Sequence, residues 1–261
     1  MTENGTLLAG KKIVETSAGS IGTVIVRELL RQGADVEVWD NAAAALDRIR
    51  DAAVIDGRRP TTRQVDITSE AAVHAAAASA IADLGCVDAL VCTAAVLDFS
   101  PVATMPLDQW RRTIDVNLTG VFLCNRAFVT HMTQRQRGSI INISSVGGLR
   151  GHPEIAHYCA SKAGVNNLSE SLAREVGEHG VRVNAVCPGW VDARMGDAVL
   201  DWYSQSWGMP REELLERVRA DTALKRFALP TDVANMVVFL ASDLSEFITG
   251  EALEVSGGLT Y

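Results

Sequence analysis

Residues 12–31, KIVETSAGSIGTVIVRELLR, have the pattern of a short strand, a turn of small residues and an amphipathic helix. Backbone N–H groups and the positive end of the helix can approach a diphosphate at such a turn. Strand-to-helix turns also use small residues for packing alone, so the pattern by itself is weak. The stretch predicts one βα unit and a candidate nucleotide site, made of Ser17, Gly19, Ser20, Ile21 and Gly22.

The same alternation of strand and helix continues to the end of the chain. Strands are predicted at residues 12–15, 35–39, 62–65, 89–92, 139–143, 182–186 and 252–255. Helices are predicted at residues 21–31, 42–52, 70–84, 107–134, 155–178 and 232–241. Most of the strands are short and rich in Val and Ile, as strands covered on both faces are. We therefore predict a single domain over residues 1–261, an α/β fold with a Rossmann-type, doubly wound parallel sheet of about seven strands and helices on both faces.

One segment, residues 192–229, interrupts this rhythm because it is too long for a simple turn between a strand and a helix. It carries Trp202, Tyr203 and Trp207 together with two short helical patterns. Long excursions of this kind are usually lids or binding loops. We predict a helical lid insertion over a substrate; the alternative is a surface pair of helices that packs on a neighbour.

Composition limits the classes of protein to consider. The chain has 261 residues, 48% of them hydrophobic, which is enough for a large core, and no apolar run reaches the roughly 18 residues of a membrane span. Its first residues lack the pattern of a signal peptide, and a net charge of −8 argues against a nucleic-acid surface. The five cysteines are scattered without metal-ligand spacing. These features predict a cytoplasmic protein with reduced thiols and no metal site.

The second strand ends at Asp40, about 20 residues after the turn, where a carboxylate can accept hydrogen bonds from the adenosine ribose. That carboxylate would repel a 2′-phosphate, and residues 16–22 contain no Arg or Lys to hold one. NAD is therefore favoured over NADP as the cofactor. Asp40 could instead serve as a helix N-cap.

Tyr158 and Lys162 are one helical turn apart, so both side chains lie on the same helix face. A tyrosine normally titrates near ~10, which makes it a poor base at neutral pH. A nearby ammonium and a cationic nicotinamide would stabilise the phenolate and lower that pKa. The YxxxK spacing is common by chance, and an exposed Tyr/Lys pair is the alternative.

Two polar residues strengthen the catalytic interpretation. Ser145 closes a predicted strand, and strand ends in such sheets meet at the ligand crevice. Asn117 falls inside the predicted helix 107–134, where asparagine is unfavourable without compensation. Its position predicts a functional kink in that helix.

Taken together, these features resemble the short-chain dehydrogenase/reductase family. The motifs occur in the family's order, namely the strand–turn–helix, Asp40, Asp66, Asn117, Ser145, Tyr158, Lys162, Pro188-Gly189 and Val255-Ser256-Gly257-Gly258. The similarity covers nearly the whole chain. It implies an NAD-dependent enzyme that interconverts a secondary alcohol and a ketone on a small or medium-sized molecule.

The resemblance also assigns roles to individual residues. Tyr158 would be the general acid/base, Lys162 would lower its pKa and hold the nicotinamide ribose, and Ser145 would orient the substrate oxygen. Asn117 would hold a water in the proton relay. The remaining cofactor contacts would be Asp66 and Ile67 at the adenine, Ala94 after the fourth strand, and Pro188, Gly189 and Val191 at the nicotinamide. Family members are usually dimers or tetramers built on the two long helices, here 107–134 and 155–178.

Three cofactor motifs depart from the family's pattern. ETSAGSIG at residues 15–22 stands for TGxxxGxG, CTAA at 92–95 for NNAG, and Ala193 for the threonine of PGxxxT. Thr16 takes the first glycine position, where a β-branched residue would resist unusual backbone angles and crowd the cofactor. Either NAD binds through an adjusted loop, or the scaffold serves a non-redox lyase or isomerase, or a nucleotide-impaired binding protein. The substrate pocket is expected to draw on Asp98, Phe99, Gly147, His152 and Trp190 together with the aromatic residues of the lid.

Overall fold

The centre of the molecule is a parallel sheet. A computed structural model describes residues 6–260; residues 1–5 and 261 of the predicted domain lie outside the described part. The strands are β1 Lys12–Glu15, β2 Asp35–Asp40, β3 Thr61–Gln64, β4 Ala89–Cys92, β5 Gly138–Ile143, β6 Val181–Pro188 and β7 Ala252–Val255. They form one seven-stranded sheet in the order β3-β2-β1-β4-β5-β6-β7. The prediction of a doubly wound sheet is confirmed.

Helices cover both faces of the sheet. They are α1 Ser20–Arg31, α2 Ala43–Ala52, α3 Glu70–Leu84, α4 Leu107–Ile114, α5 Gly120–Gln134, α6 Ala156–Val176, α7 Arg194–Trp207, α8 Arg211–Asp221 and α9 Pro230–Ala241. Apolar side chains of α1, α2 and α9 form one core cluster with the sheet, and those of α3, α5 and α6 form a second on the other face. In the described part of the chain, none of the helices has the length and apolar character needed to cross a membrane.

Successive side chains of a strand point to opposite faces of the sheet and so pack into different core clusters. In β1, Ile13 packs into the cluster with α1 and α9, whereas Val14 packs into the cluster with α3 and α5. Trp39 of β2 lies 5.6 Å from Phe128 of α5 between ring centroids, and both are fully buried. Each such burial of a large apolar side chain stabilises the fold by about 1.5–3 kcal/mol.

The strand order places the functional crevice. β1 is paired with β2 on one side and with β4 on the other, so successive connections leave the sheet in opposite directions at this point. Ligands of open parallel sheets bind at the carboxyl ends of the strands where this reversal occurs. The carboxyl ends of β1, β4, β5 and β6 therefore define the floor of a cleft.

The predicted helix 107–134 is observed with these bounds, but it is not α-helical throughout. It divides into α4 and α5, joined by a π-helical segment at Asp115–Thr119. Asn117 lies in this segment, fully buried, and exchanges two hydrogen bonds with the backbone of Val96, at 2.8 and 2.9 Å. These bonds compensate for asparagine in a helical position, and the helix is locally irregular at Asn117, as a π-helical segment. A functional kink at this residue stays a prediction.

The segment 192–229 folds as the two predicted short helices, α7 and α8. Leu200 and Tyr203 of α7 pack with Leu214 of α8 in a separate small cluster, which Trp190 and Trp202 also contact. The insertion thus has a core of its own, and it is called the lid below.

Candidate active site

A cavity of about 620 Å³ opens at the carboxyl ends of the strands, between the turn after β1 and the lid. Most of the predicted site residues line it, namely Ser17, Gly19, Ser20, Ile21, Gly22, Ser145, Tyr158, Lys162, Pro188, Gly189 and Val191. Residues far apart in the chain therefore meet in one cleft. Its walls come from the turn before α1, from the ends of β5 and β6, and from α6 and α7.

Other predicted residues lie behind or beside this lining. Asp66 accepts hydrogen bonds from the backbone N–H and the hydroxyl of Thr68, so its carboxylate is engaged in a local turn. The buried side chain of Ile67 lies against Gly120, where an added Cβ would come within 2.7 Å of it. Ala94 packs toward the core beneath the sheet. The cofactor contacts assigned to these three residues stay predictions.

The turn before α1 is built for close backbone approach. A Cβ on Gly22 would come within 2.2 Å of the carbonyl oxygen of Ser17, so only glycine fits without moving the turn. Gly19 is the N-cap of α1, and no side chain caps its first turn. Free N–H groups at a helix start that faces a cavity are suited to a diphosphate. This turn therefore fits the nucleotide that the sequence implies.

Thr16 does not behave as expected. Its side chain is 1% exposed, and its hydroxyl accepts a hydrogen bond from the backbone N–H of Thr93 at 3.1 Å. It is not among the non-glycine residues with positive φ in the described chain. The expectations of strained backbone and of crowding in the cofactor path are therefore wrong. The hydroxyl instead ties the end of β1 to the loop after β4, and glycine at this position would remove that bond.

The carboxylate of Asp40 accepts hydrogen bonds from two backbone N–H groups. One carboxylate oxygen accepts from the N–H of Ala18 in the turn before α1, at 2.8 Å. The other accepts from the N–H of Ala42, the N-cap residue of α2, at 2.9 Å. Each oxygen retains a further lone pair for a ribose hydroxyl, so supporting α2 and binding a nucleotide are compatible roles.

Tyr158 and Ser145 form the centre of the cavity. The hydroxyl of Ser145 accepts from the N–H of Gly147 at 3.0 Å, which leaves its own proton to donate. Tyr158 is 9% exposed, and burial raises the pKa of its phenol to about 12, with a hydrogen bond from Ser145 acting in the opposite direction. The phenol therefore holds its proton at neutral pH and can donate it to an oxygen in the cavity.

Lys162 lies fully within the protein beneath this pair. Its ammonium donates to the carbonyl oxygen of Ile143 at 2.7 Å and lies 5.8 Å from the ring centroid of Tyr158. Burial lowers the pKa of Lys162 to about 8. Burial of the phenolate raises the pKa of Tyr158, in the opposite direction to the lowering that the sequence predicts.

The substrate end of the cavity is largely apolar and aromatic. Gly147, His152, Trp190 and Tyr203 line it, as expected. Phe99 stacks on Trp202 at 5.0 Å between centroids, Trp207 stacks on Tyr203 at 4.3 Å, and Asp98 pairs with Arg112 at 2.8 Å. Burial lowers the pKa of His152, so its imidazole is neutral at neutral pH.

Sequence reasoning missed two acidic residues. Glu15 ends β1 with its carboxyl fully buried, and burial raises its pKa well above the usual range. An acid directly after the apolar pair Ile13-Val14, at the carboxyl end of a strand, was the signal that could have revealed it. Glu154, in the loop before α6, binds the lid by hydrogen bonds. No local pattern marks it, because its partners lie about 50 residues away in the chain.

Known proteins share this arrangement. A family profile described as enoyl-(acyl carrier protein) reductase matches residues 16–260. The chain belongs to the short-chain dehydrogenase/reductase family. Within the described residues, no group of three or more His, Cys, Asp or Glu side chains is placed to hold a metal ion.

Relatives in this family include dehydrogenases of bacteria. The chain is 38% identical to inactive 2-(S)-hydroxypropyl-CoM dehydrogenase 2 of Xanthobacter autotrophicus (strain ATCC BAA-1158 / Py2), over 90% of this chain and 99% of the relative. It is 36% identical to cis-4-hydroxycyclohexanecarboxylate dehydrogenase of Sinomonas cyclohexanicum, over 95% of each.

Solved structures of the family superpose closely. NAD⁺-bound xylitol dehydrogenase matches with a TM-score of 0.92 at 27% identity, covering 96% of this chain and 99% of that one. An actinorhodin polyketide ketoreductase with NADPH matches with a TM-score of 0.89 at 33% identity, covering 95% and 97%. The chain is therefore an oxidoreductase of the short-chain dehydrogenase/reductase type, and its structural neighbours include one with NAD⁺ bound and one with NADPH.

Proposed function

We propose that this short-chain dehydrogenase uses NAD to interconvert a secondary alcohol and a ketone on a small or medium-sized molecule, with Tyr158 as general acid/base. The observation that carries the proposal is the meeting of Tyr158, Ser145 and Lys162 in the same cavity as the turn before α1. A proton-transfer group and a diphosphate cradle in one cleft suit hydride chemistry on a carbonyl.

Each residue of the cavity has a separate role in the proposed reaction. The nicotinamide supplies or accepts the hydride when bound. The Tyr158 phenol gives its proton to the carbonyl oxygen during reduction, and the Tyr158 phenolate takes the alcohol proton during oxidation. The Ser145 hydroxyl donates a hydrogen bond that holds the substrate oxygen beside the phenol, and the Lys162 ammonium favours the phenolate by its charge.

Asp40 supports NAD as the cofactor. Its carboxylate is held at the end of β2 by the N–H groups of Ala18 and Ala42, so it cannot easily turn away from an adenosine ribose. A 2′-phosphate would bring a second negative charge to this carboxylate.

A direct assay tests the proposed reaction. The pure protein is mixed with NAD⁺ or NADH and a panel of alcohols and ketones, alicyclic hydroxy acids included, since one relative is named for such a substrate. We expect the absorbance of reduced nicotinamide to appear or disappear with at least one pair. Binding of NADH without turnover on any substrate would favour a nucleotide-binding protein, as one relative is called inactive. Absence of nucleotide binding would favour the lyase or isomerase alternative.

We also propose that the protein works in the cytoplasm as a homodimer or homotetramer. Five free cysteine thiols in the described chain suit a reducing compartment. Large apolar side chains are exposed on α4 and α5, with Leu107, Trp110 and Phe122 at 59, 39 and 41% exposure. Such side chains on one pair of helices are suited to a contact with a second copy.

Phe122→Glu is expected to lower the molecular mass in solution to that of a smaller assembly, because a carboxylate in an apolar contact is costly to desolvate. Light scattering coupled to size-exclusion chromatography measures the mass. Val102→Glu is the matched control, since Val102 is 72% exposed outside the long helices and should leave the mass unchanged. An unchanged mass for Phe122→Glu would exclude this surface as the interface.

Lys162→Met is expected to stabilise the fold by about 1–3 kcal/mol at neutral pH while removing turnover, because it replaces a buried ammonium by an apolar group of similar length. Below pH 8 the wild type carries the full cost of the buried charge, since its lysine is protonated both folded and unfolded. That cost disappears as pH rises from about 8 toward the unfolded lysine value of about 10.4. The advantage of the mutant should therefore shrink over this range. Urea unfolding at several pH values measures it, and a less stable mutant would contradict the reasoning.

A further inference from the structure

Glu154 joins the loop before α6 to the lid through its carboxylate. One oxygen accepts from the indole N–H of Trp202 at 2.8 Å, and both oxygens lie within 3.2 Å of the Ser206 hydroxyl. Trp202 and Ser206 are one turn apart on α7, so a single side chain holds one face of that helix. Hydrogen bonds to a charged acceptor are among the stronger ones in proteins.

The backbone around Glu154 reinforces this connection. Its carbonyl oxygen accepts from the N–H of Ser100, in the loop after β4, at 2.8 Å. The preceding carbonyl, of Pro153, accepts from the hydroxyl of Tyr203 at 3.1 Å. Glu154 adopts φ +64°, a left-handed conformation that non-glycine residues rarely take. The conformation is kept by contacts on both sides of the loop.

These contacts decide where the aromatic wall of the cavity stands. Tyr203 lines the cavity, and its ring makes edge contacts with Phe99 at 6.3 Å and with Trp190 at 6.4 Å. By contrast, Asp197 and Asp201 of α7 pair with Arg211 of α8, which belongs to the lid itself. The bonds to residues 153–154 therefore attach the lid to the body that carries Tyr158.

We infer that Glu154 is a positioning residue, which fixes α7 over the substrate end of the cavity and thereby sets the affinity for the alcohol or ketone. The inference rests on the proposed function for its kinetic part and on the hydrogen bonds alone for its structural part. Loss of the carboxylate should loosen α7 and raise KM for the substrate, with kcat and NADH affinity nearly unchanged. The proton-transfer residues are not touched by this change.

Three substitutions at position 154 separate the effect of the carboxylate on α7 from the effect of the strained backbone. Glu154→Gln keeps an acceptor for Trp202 and can donate to Ser206, so it should behave like the wild type. Glu154→Gly removes the side chain and also relieves the left-handed strain, whereas Glu154→Ala removes the side chain and keeps the strain. Glu216→Ala on α8 is the matched control, because Glu216 is exposed on the lid.

Hydrogen exchange of the amides in α7 is measured for each protein, together with KM and kcat. We expect exchange in α7 to rise about tenfold in both the Gly and the Ala variants, with α6 unchanged. KM should rise about five- to tenfold in the same two variants, in line with the loss of one or two hydrogen bonds. Rescue by Gln supports the inference.

Some outcomes would overturn it. Unchanged exchange of α7 in Glu154→Gly would show that the carboxylate does not hold the lid. Faster exchange in Glu154→Ala alone would assign the effect to backbone strain. If the wild type turns over no alcohol or ketone, the proposed function fails, but the exchange measurement still decides whether Glu154 holds α7.

Discussion

Tyr158→Phe is expected to lower kcat/KM by about 10²–10⁴-fold, the usual contribution of a general acid/base. Only the phenol oxygen moves a proton, so the ring of phenylalanine should preserve the packing of Tyr158 with Ile155 and Cys159. NADH affinity and the urea midpoint should stay near those of the wild type. Steady-state assays in both directions and unfolding curves measure these quantities.

Tyr203→Phe is the matched control for this change. Tyr203 lines the same cavity, and burial raises the pKa of its phenol to about 12 as well, but its hydroxyl is bonded to the carbonyl of Pro153. The Tyr203→Phe enzyme should keep at least about a tenth of kcat, because the Tyr203 hydroxyl transfers no proton in the proposed reaction. A Tyr158→Phe enzyme that retained more than roughly a hundredth of the wild-type rate would remove Tyr158 from the mechanism.

The pKa of Tyr158 also gives the direction of the pH dependence. Because burial raises it to about 12, the phenol is protonated at neutral pH, the form needed for ketone reduction. Alcohol oxidation needs the phenolate, so the oxidation rate should increase with pH and level off above the pKa that Tyr158 has in the complex. The charges of bound nicotinamide and of Lys162 lower that pKa. Tyr158→Phe should lose this pH dependence.

The wild type is expected to bind NADH at least about a hundredfold more tightly than NADPH, because Asp40 opposes a 2′-phosphate. Asp40→Ala combined with Asn41→Arg should reverse the preference, since the guanidinium can pair with the phosphate in two hydrogen bonds. Calorimetric titration of each protein with both nucleotides measures the affinities.

Asp40→Asn is the control that separates the effect of the negative charge on nucleotide preference from the effect of the hydrogen bonds to the backbone. An asparagine keeps one oxygen to accept from Ala18 or Ala42 but carries no charge, so it should weaken discrimination without a large loss of stability. Asp40→Ala alone removes both acceptors and should also loosen the turn before α1. If the wild type binds NADPH as tightly as NADH, Asp40 acts only as support for the turn and for α2.

Local patterns were sufficient for much of the fold. The strands and helices alternate with clear apolar periodicity, and their observed ends mostly lie within two residues of the predicted ones. Asparagine at position 117 is unfavourable inside a helix and predicts an irregularity there, and the structure has a π-helical segment at this place. The catalytic set could be proposed because Tyr158 and Lys162 share a helix turn and Ser145 ends a strand.

Other features depended on contacts between distant segments. Thr16 was judged by its place in a glycine motif, yet its partner is Thr93, on the loop after a neighbouring strand. The spacing of Tyr158 and Lys162 predicts a lowered pKa for the phenol, whereas burial in the folded protein raises it. Neither the burial of Tyr158 nor the hydrogen-bond partner of Thr16 can be predicted from the neighbouring residues in the chain.

Periodicity and short spacings are local properties, so the parallel α/β architecture and the side chains able to transfer a proton could be predicted from the residues alone. The bond from the turn before α1 to Asp40, the bond from Lys162 to Ile143 and the bonds between Glu154 and α7 depend on the folded chain. The reason is physical: hydrogen bonds and desolvation depend on which segments the fold brings within a few ångströms, whatever their separation along the chain.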